Sequence, residues 1–174
     1  MKKTIKLLPK NVINQIAAGE VIQRPSSVVK ELIDNSIDAR ASNIHLIIKN
    51  AGKNSIQVID DGIGMNQQDA EACFERHSTS KISTTKDIFK IHTLGFRGEG
   101  LASMASVSKV ILKTKTKQDE LGTKIILDQG ILENKEEIVY NNGTSIEVKN
   151  LFFNIPARKV FLKSNKVEIK HIVD

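Results

Sequence analysis

The strand-forming runs of this chain meet one another through turn residues and not through helices, and that ordering constrains its fold more than any other feature. Asn43–Lys49 and Ser55–Ile59 alternate or run apolar as strands do, and Asn50-Ala51-Gly52-Lys53-Asn54 between them has hairpin chemistry. Three more β-rich runs come later, Lys109–Thr116, Thr123–Leu127 and Ser145–Lys149, the last after the turn Asn141-Asn142-Gly143-Thr144. Helical patterns lie early and in the middle. Val12–Ala18 is closed by Gly19, a second helix starts near Ser26 or Ser27 and runs to about Ala39, and Gln67–Arg76 and Leu101–Val107 follow. A basic helix is expected over Asn154–Asp174, with Asn154 as its cap and Pro156 in its first turn. Strict alternation of strand and helix, the mark of a doubly wound parallel sheet, is absent. The order predicts a two-layer α/β sandwich, with helices on a mostly antiparallel mixed sheet, in one domain spanning residues 1–174.

Composition narrows the partners. Of the residues, 40% are hydrophobic and 26% charged, enough apolar material for a core. A formal net charge of +6 suits an anionic partner such as nucleotide or nucleic acid. Cys73 is the only cysteine, so no internal disulfide can form, and His45, His77, His92 and His171 lack metal-ligand spacing. Lys6, Pro9 and Lys10 interrupt the apolar run after Met1-Lys2-Lys3, which argues against a signal peptide. A cytoplasmic location is expected.

Three segments carry candidate chemistry. On the helix ending near Ala39, Glu31, Asp34, Asn35 and Asp38 cluster on one face at about 100° per residue, opposite Val29, Leu32, Ile33 and Ile37. Taken alone this is an amphipathic helix with a solvated acidic face. Set over a site, one carboxylate would orient a water and an amide oxygen would help hold a hard cation. Asp60-Asp61-Gly62-Ile63-Gly64-Met65 follows a strand; Asp-Gly is first of all a turn, and Gln67 stands where a dinucleotide fingerprint needs its third glycine. A carboxylate there, beside glycines that admit a flat ring, is placed to accept a hydrogen bond from an adenine amino group. Finally, Thr93-Leu94-Gly95-Phe96-Arg97-Gly98-Glu99-Gly100-Leu101 is either a hinge ending the polar loop Ser78–Lys86 or a cradle whose backbone N–H groups face an anion, with Arg97 and Lys81 nearby. It does not match the Gly-x4-Gly-Lys-[Ser/Thr] phosphate loop.

Taken together, Glu-x3-Asn on a helix, Asp-x-Gly-x-Gly after a strand and a glycine-rich loop entering a helix resemble the GHKL (Bergerat) ATP-binding fold. Within that superfamily, Gln15–Ile22 with Arg24-Pro25, Val28–Leu32, Asp34-Asn35-Ser36, Asp38-Ala39, His77–Ile82, Phe96–Glu99 and Asn150-Leu151-Phe152-Phe153-Asn154-x-Pro156-Ala157-Arg158 are similar to the MutL-type mismatch repair family.

That resemblance implies an ATPase dependent on Mg²⁺. Glu31 would activate the attacking water, Asn35 would ligate the metal, and Asp60 would read the adenine with Thr144 at the same end of the pocket. Asp38, Ala39, Gly62, Gly64 and Met65 join the implied nucleotide contacts. Ser80 and Lys81 would belong to an ATP lid, and Leu94, Gly95, Phe96, Arg97, Gly98, Glu99, Gly100 and Leu101 to the phosphate-binding turn. Gly100 departs from the family, whose members usually have Ala there, and is expected to loosen the first helical turn without removing a backbone donor. A second domain that supplies a lysine to the γ-phosphate and a C-terminal dimerisation region are expected to be absent from this chain, so weak hydrolysis is expected. The resemblance further implies ATP-driven dimerisation, non-specific DNA binding, and partners in a MutS-type mismatch sensor and a downstream nuclease and helicase. Two competing readings are a DNA-binding scaffold using Arg158, Lys159, Lys163, Lys166 and Lys170, for which the bland account is a solvated helix face, and another GHKL ATPase such as a topoisomerase subunit.

Overall fold

A computed structural model of the chain describes residues 5–81, 93–95 and 97–174. Six strands form one sheet in the spatial order β1-β2-β6-β3-β4-β5: β1 (Ile44–Lys49), β2 (Ser55–Asp60), β3 (Lys109–Lys115), β4 (Gly122–Asp128), β5 (Ile131–Ile138) and β6 (Gly143–Lys149). Every one of these pairs is antiparallel, so the expectation of a largely antiparallel sheet holds and the sheet contains no mixed pair among the described residues. The helices are α1 (Lys10–Val21), α2 (Pro25–Asp38), α3 (Gln67–Ala72), α4 (Gly100–Ser106), α5 (Pro156–Phe161) and α6 (Asn165–Val173).

The core lies between one face of the sheet and α1, α2 and α4. Ile56 and Val58 of β2, Val110 and Leu112 of β3, Ile125 and Leu127 of β4, and Ile146 and Val148 of β6 meet Ala18, Ile22, Val28, Leu32 and Met104 there. Side chains alternate between the faces of a strand, so the next residue in each series points the same way. That residue is Asp60 on β2, Thr114 on β3, Thr123 on β4 and Thr144 on β6. Register aligns them, Asp60 opposite Thr144, Thr144 opposite Thr114 and Thr114 opposite Thr123. One end of an apolar core is thus closed by a row of polar groups.

Several local expectations need correction. Gly19 does not stop α1, which continues to Val21. A Cβ on Gly19 would fall 1.3 Å from Nη2 of Arg158. The glycine is there for close approach, since Arg158 crosses it to donate from Nη1 to Ile22 O at 3.1 Å while lying 5.7 Å from the Phe152 ring centroid. Asn154 caps no helix: its Nδ2 donates to Ser106 O at 2.9 Å, and Ile155 is the residue before α5. The basic helix is two helices, broken at residues 162–164, and α3 ends at Ala72, short of Arg76. β5 has no counterpart in the sequence reading, because Ile131-Leu132-Glu133-Asn134-Lys135-Glu136-Glu137-Ile138 is an exposed edge strand without a buried face to impose alternation. Ion pairs Lys109–Glu133 and Lys124–Glu136, both at 2.6 Å, tie it down. The part of the polar loop from 82 to 86, and Phe96, lie outside the described residues.

Candidate nucleotide site

The candidate residues gather at the polar end of the core, in two chemically distinct groups. The first surrounds Asp60. Its Oδ2 lies 2.9 Å from Ser36 Oγ, a buried hydroxyl on the core side of α2, and its Oδ1 accepts from Gly62 N–H at 2.9 Å. Gly62 packs on Ala39: a Cβ would stand 2.8 Å from Ala39 O, an oxygen that already accepts from Ile63 N–H at 3.0 Å. Gly64 has φ +69 and presses so closely on β3 that a Cβ would lie 2.0 Å from Lys115 O. Met65 N–H donates to Thr114 Oγ1 at 2.9 Å, and Thr114 Oγ1 is 3.0 Å from Thr144 Oγ1. Asp61 is spent elsewhere, accepting from Ser42 N–H at 2.7 Å and from Asn43 N–H and Nδ2, each at 2.8 Å. Those bonds, the Asn43 side chain first, hold its carboxyl below the usual range. Of the pair, only the first aspartate is bonded to α2.

The second group lies on the acidic face of α2. Lys81 Nζ donates to Asn35 Oδ1 at 3.2 Å and forms a very short ion pair with Asp38. Asp38 also accepts from Leu94 N–H at 3.0 Å and Gly95 N–H at 3.2 Å. Burial pushes the Asp38 carboxyl up, but the bonds from Lys81, Leu94 and Gly95 outweigh it and hold the group below its ordinary value of 3.8. Glu31 behaves in the opposite way. Burial first, and the neighbouring charge of Asp34 second, raise it above 4.5, against the opposing charges of Lys30, Lys81 and Arg97. Asp34 itself pairs with exposed Lys30 four residues back, which is the solvated-face role.

Gly100 opens α4 directly under Glu31. A Cβ at that position would stand 2.4 Å from Glu31 Oε2, so the residue governs how closely the carboxylate can approach the helix start, beyond the looser first turn its sequence suggests. Gly98 has φ +63, and its oxygen accepts from His77 N–H at 3.0 Å; Glu99 lies 3.5 Å from His77 Nδ1. The glycine-rich segment is therefore bound to His77-Ser78, while its first residues, Leu94 and Gly95, face Asp38. Leu101 packs against the core, Ser80 is exposed, and Arg97 is exposed with its charge acting on Glu31. Sequence reasoning missed Ser36 and Thr114. Ser36 could have been found four residues after Leu32 on the core stripe, where a hydroxyl needs a partner; Thr114 could have been found by continuing the inward alternation of Val110 and Leu112.

Comparison with known proteins identifies the family of the chain. The family described as histidine kinase-, DNA gyrase B- and HSP90-like ATPase matches residues 23–158. The chain is 56% identical over 174 residues to the DNA mismatch repair protein MutL of Flavobacterium johnsoniae, covering all of this chain and 27% of that protein. It is 59% identical to MutL of Flavobacterium psychrophilum, covering 28% of that protein. The chain thus spans between a quarter and a third of the length of these relatives. Among solved structures, the Aquifex aeolicus MutL ATPase domain complexed with ADP superposes with a TM-score of 0.70 at 32% identity, over 88% of this chain and 53% of that one. A structure described as the N-terminal domain of a DNA repair protein gives 0.76 at 34% identity, over 92% of this chain and 46% of the other. A family match across the pocket and close likeness to MutL along the whole sequence mean that the chain belongs to the histidine kinase-, DNA gyrase B- and HSP90-like ATPase family, in its MutL branch.

Proposed function

We propose that the chain binds ATP with Mg²⁺ and hydrolyses it to ADP and phosphate. The observation that carries this reading is a site with two unlike ends, both anchored on α2. At one end Asp60, steadied by Ser36 and Gly62, offers carboxylate oxygens suited to the amino group of adenine. At the other, Asn35 and Asp38 direct oxygens at a single positive charge, the Lys81 ammonium. Oxygen donors that converge on a cation fit Mg²⁺, which takes one or two protein ligands and fills the rest with water and phosphate. Asn35 would hold the ion, whose bound charge offsets that of the phosphates. Lys81 would then turn from Asn35 towards the triphosphate. Glu31, half-buried and raised in pKa, would accept a proton from the attacking water, a role worth about 10²–10⁴ in rate. Leu94, Gly95 and the turn through Leu101 would supply the phosphate-facing backbone.

The test is calorimetric titration of the chain with ATP, with and without Mg²⁺, beside Asp60→Asn. Saturable binding that needs the ion and is weakened at least about tenfold by the substitution is the expected result; a folded wild-type chain that binds no ATP would overturn the reading.

In the full-length protein, nucleotide binding would close the lid around Lys81 and drive pairing of this domain with a second copy. It would thereby couple a MutS-type mismatch sensor to the downstream nuclease and helicase. Sedimentation of the full-length protein with and without Mg-ATP tests the pairing, which is expected to strengthen with nucleotide. A second reading rests on exposed Lys159, Lys163, Lys166 and Lys170 along α5, α6 and the break between them. This surface would hold DNA non-specifically, with affinity falling steeply as salt rises and persisting without nucleotide. Arg158 does not belong to it, being committed to Ile22 and Phe152.

A further inference from the structure

Thr114 has no exposed surface, yet its hydroxyl meets three groups from two other parts of the fold. It accepts from Met65 N–H at 2.9 Å, it lies 3.1 Å from Gly143 O, and it lies 3.0 Å from Thr144 Oγ1. A hydroxyl has one proton and two lone pairs. Gly143 O can only accept and Met65 N–H can only donate, so all three contacts are hydrogen bonds only when Thr114 donates to Gly143 and Thr144 donates to Thr114. One side chain thereby fastens the far end of the Asp60–Met65 turn to the first residues of β6. The backbone is already tight here: Gly143, at φ +116, leaves no room for a Cβ beside Asp60 O, nor does Gly64 beside Lys115 O.

We infer that Thr114 is a positioning residue of the nucleotide pocket, setting the spacing between Asp60 on one strand and Thr144 on the next without touching the ligand. The inference rests on the ATP-binding reading above. Valine has nearly the same shape as threonine and can make none of the three bonds; serine can make all of them. Loss of the hydroxyl strands the Met65 amide and the Thr144 hydroxyl, and the turn lifts from β3 at the base end of the pocket only.

The experiment measures binding of Mg-ATP and of ADP to the wild-type chain, Thr114→Val, Thr114→Ser and Val148→Ala. Val148 is buried on β6 away from the pocket and reports what general loosening of the core does. Thr114→Val is expected to weaken ATP and ADP by the same factor, about tenfold or more, because the base end is common to both nucleotides. Thr114→Ser is expected to stay within about threefold of wild type, and Val148→Ala to lower Tm while leaving both affinities in place. If valine does not fold, Thr114→Ala replaces it as a hydroxyl-free variant. Wild-type affinity in the hydroxyl-free variant, or equal loss in Val148→Ala, would overturn the inference. Failure of the wild-type chain to bind either nucleotide would instead overturn the ATP reading on which it rests.

Discussion

At the residue scale, two carboxyls on one helix, Glu31 and Asp38, shift in opposite directions because one is buried beside a like charge and the other is ringed by donors. For Glu31, as the proposed general base, the consequence lies in turnover. Its base form is reached only above the ordinary glutamate value of 4.5, so the acidic limb of the rate profile is expected above that pH. Asp34→Asn removes the second cause and is expected to move the limb downward, which a pH–rate series reads directly. Glu31→Ala should keep ATP affinity while abolishing turnover; loss of both together would mean that the side chain only holds the fold. For Asp38 the consequence lies in stability. Its folded pKa is depressed, so the unfolded chain binds more protons through this window and stability rises with pH. The contribution is full above 3.8 and is lost as pH falls through the lower folded value. The stability gap between wild type and Asp38→Asn, followed by urea unfolding, is expected to narrow as pH drops below 3.8.

At the element scale, α1 is held to the far end of the chain by an arginine laid across a glycine. Gly19→Ala puts a methyl where the guanidinium lies and is expected to cost about 1–3 kcal/mol, the range of overpacking, since Arg158 must leave Ile22 O and Phe152. Once Arg158→Ala has emptied the space, the glycine substitution should cost little. A double-mutant cycle in urea is expected to show that non-additivity. This contact also shows where sequence reading ran out. Gly19 read as a helix stop, which it is not, and no local pattern marked it as a gap for a side chain more than a hundred residues away. The helix bearing Glu31 and Asn35, and the hairpin of β1 and β2, were legible because one local period specified each. β5 was not, since charged residues on an exposed edge carry no buried face to read.

At the scale of the whole molecule, the antiparallel sheet was legible from turn chemistry. The position of β6 between β2 and β3 was not, because strand order depends on packing that no local pattern states. That placement assembles the candidate site: Asp60 and Thr144 are 84 positions apart in sequence but face each other in register. The polar row they begin also explains why Ser36 and Thr114 escaped notice, since each takes its meaning from a neighbour on a different strand or helix.

Of the six described strands, β6, one of the two at the centre of the sheet, is the last to be synthesised. While the chain emerges from the ribosome, β2 and the hairpin of β3 and β4 have no strand to join them until residues 143–149 appear. Late closure of long-range pairs is slow and leaves sheet edges open to misassembly. The candidate site therefore matures at the end of folding, after Glu31, Asn35 and Asp60 have long been made. Nascent chains stalled just before Gly143 are expected to retain no ATP analogue, whereas chains stalled far enough past Lys149 to clear the exit tunnel should. Nucleotide capture would then mark a completed sheet, and ATP in the cell would favour chains that have threaded β6 into place.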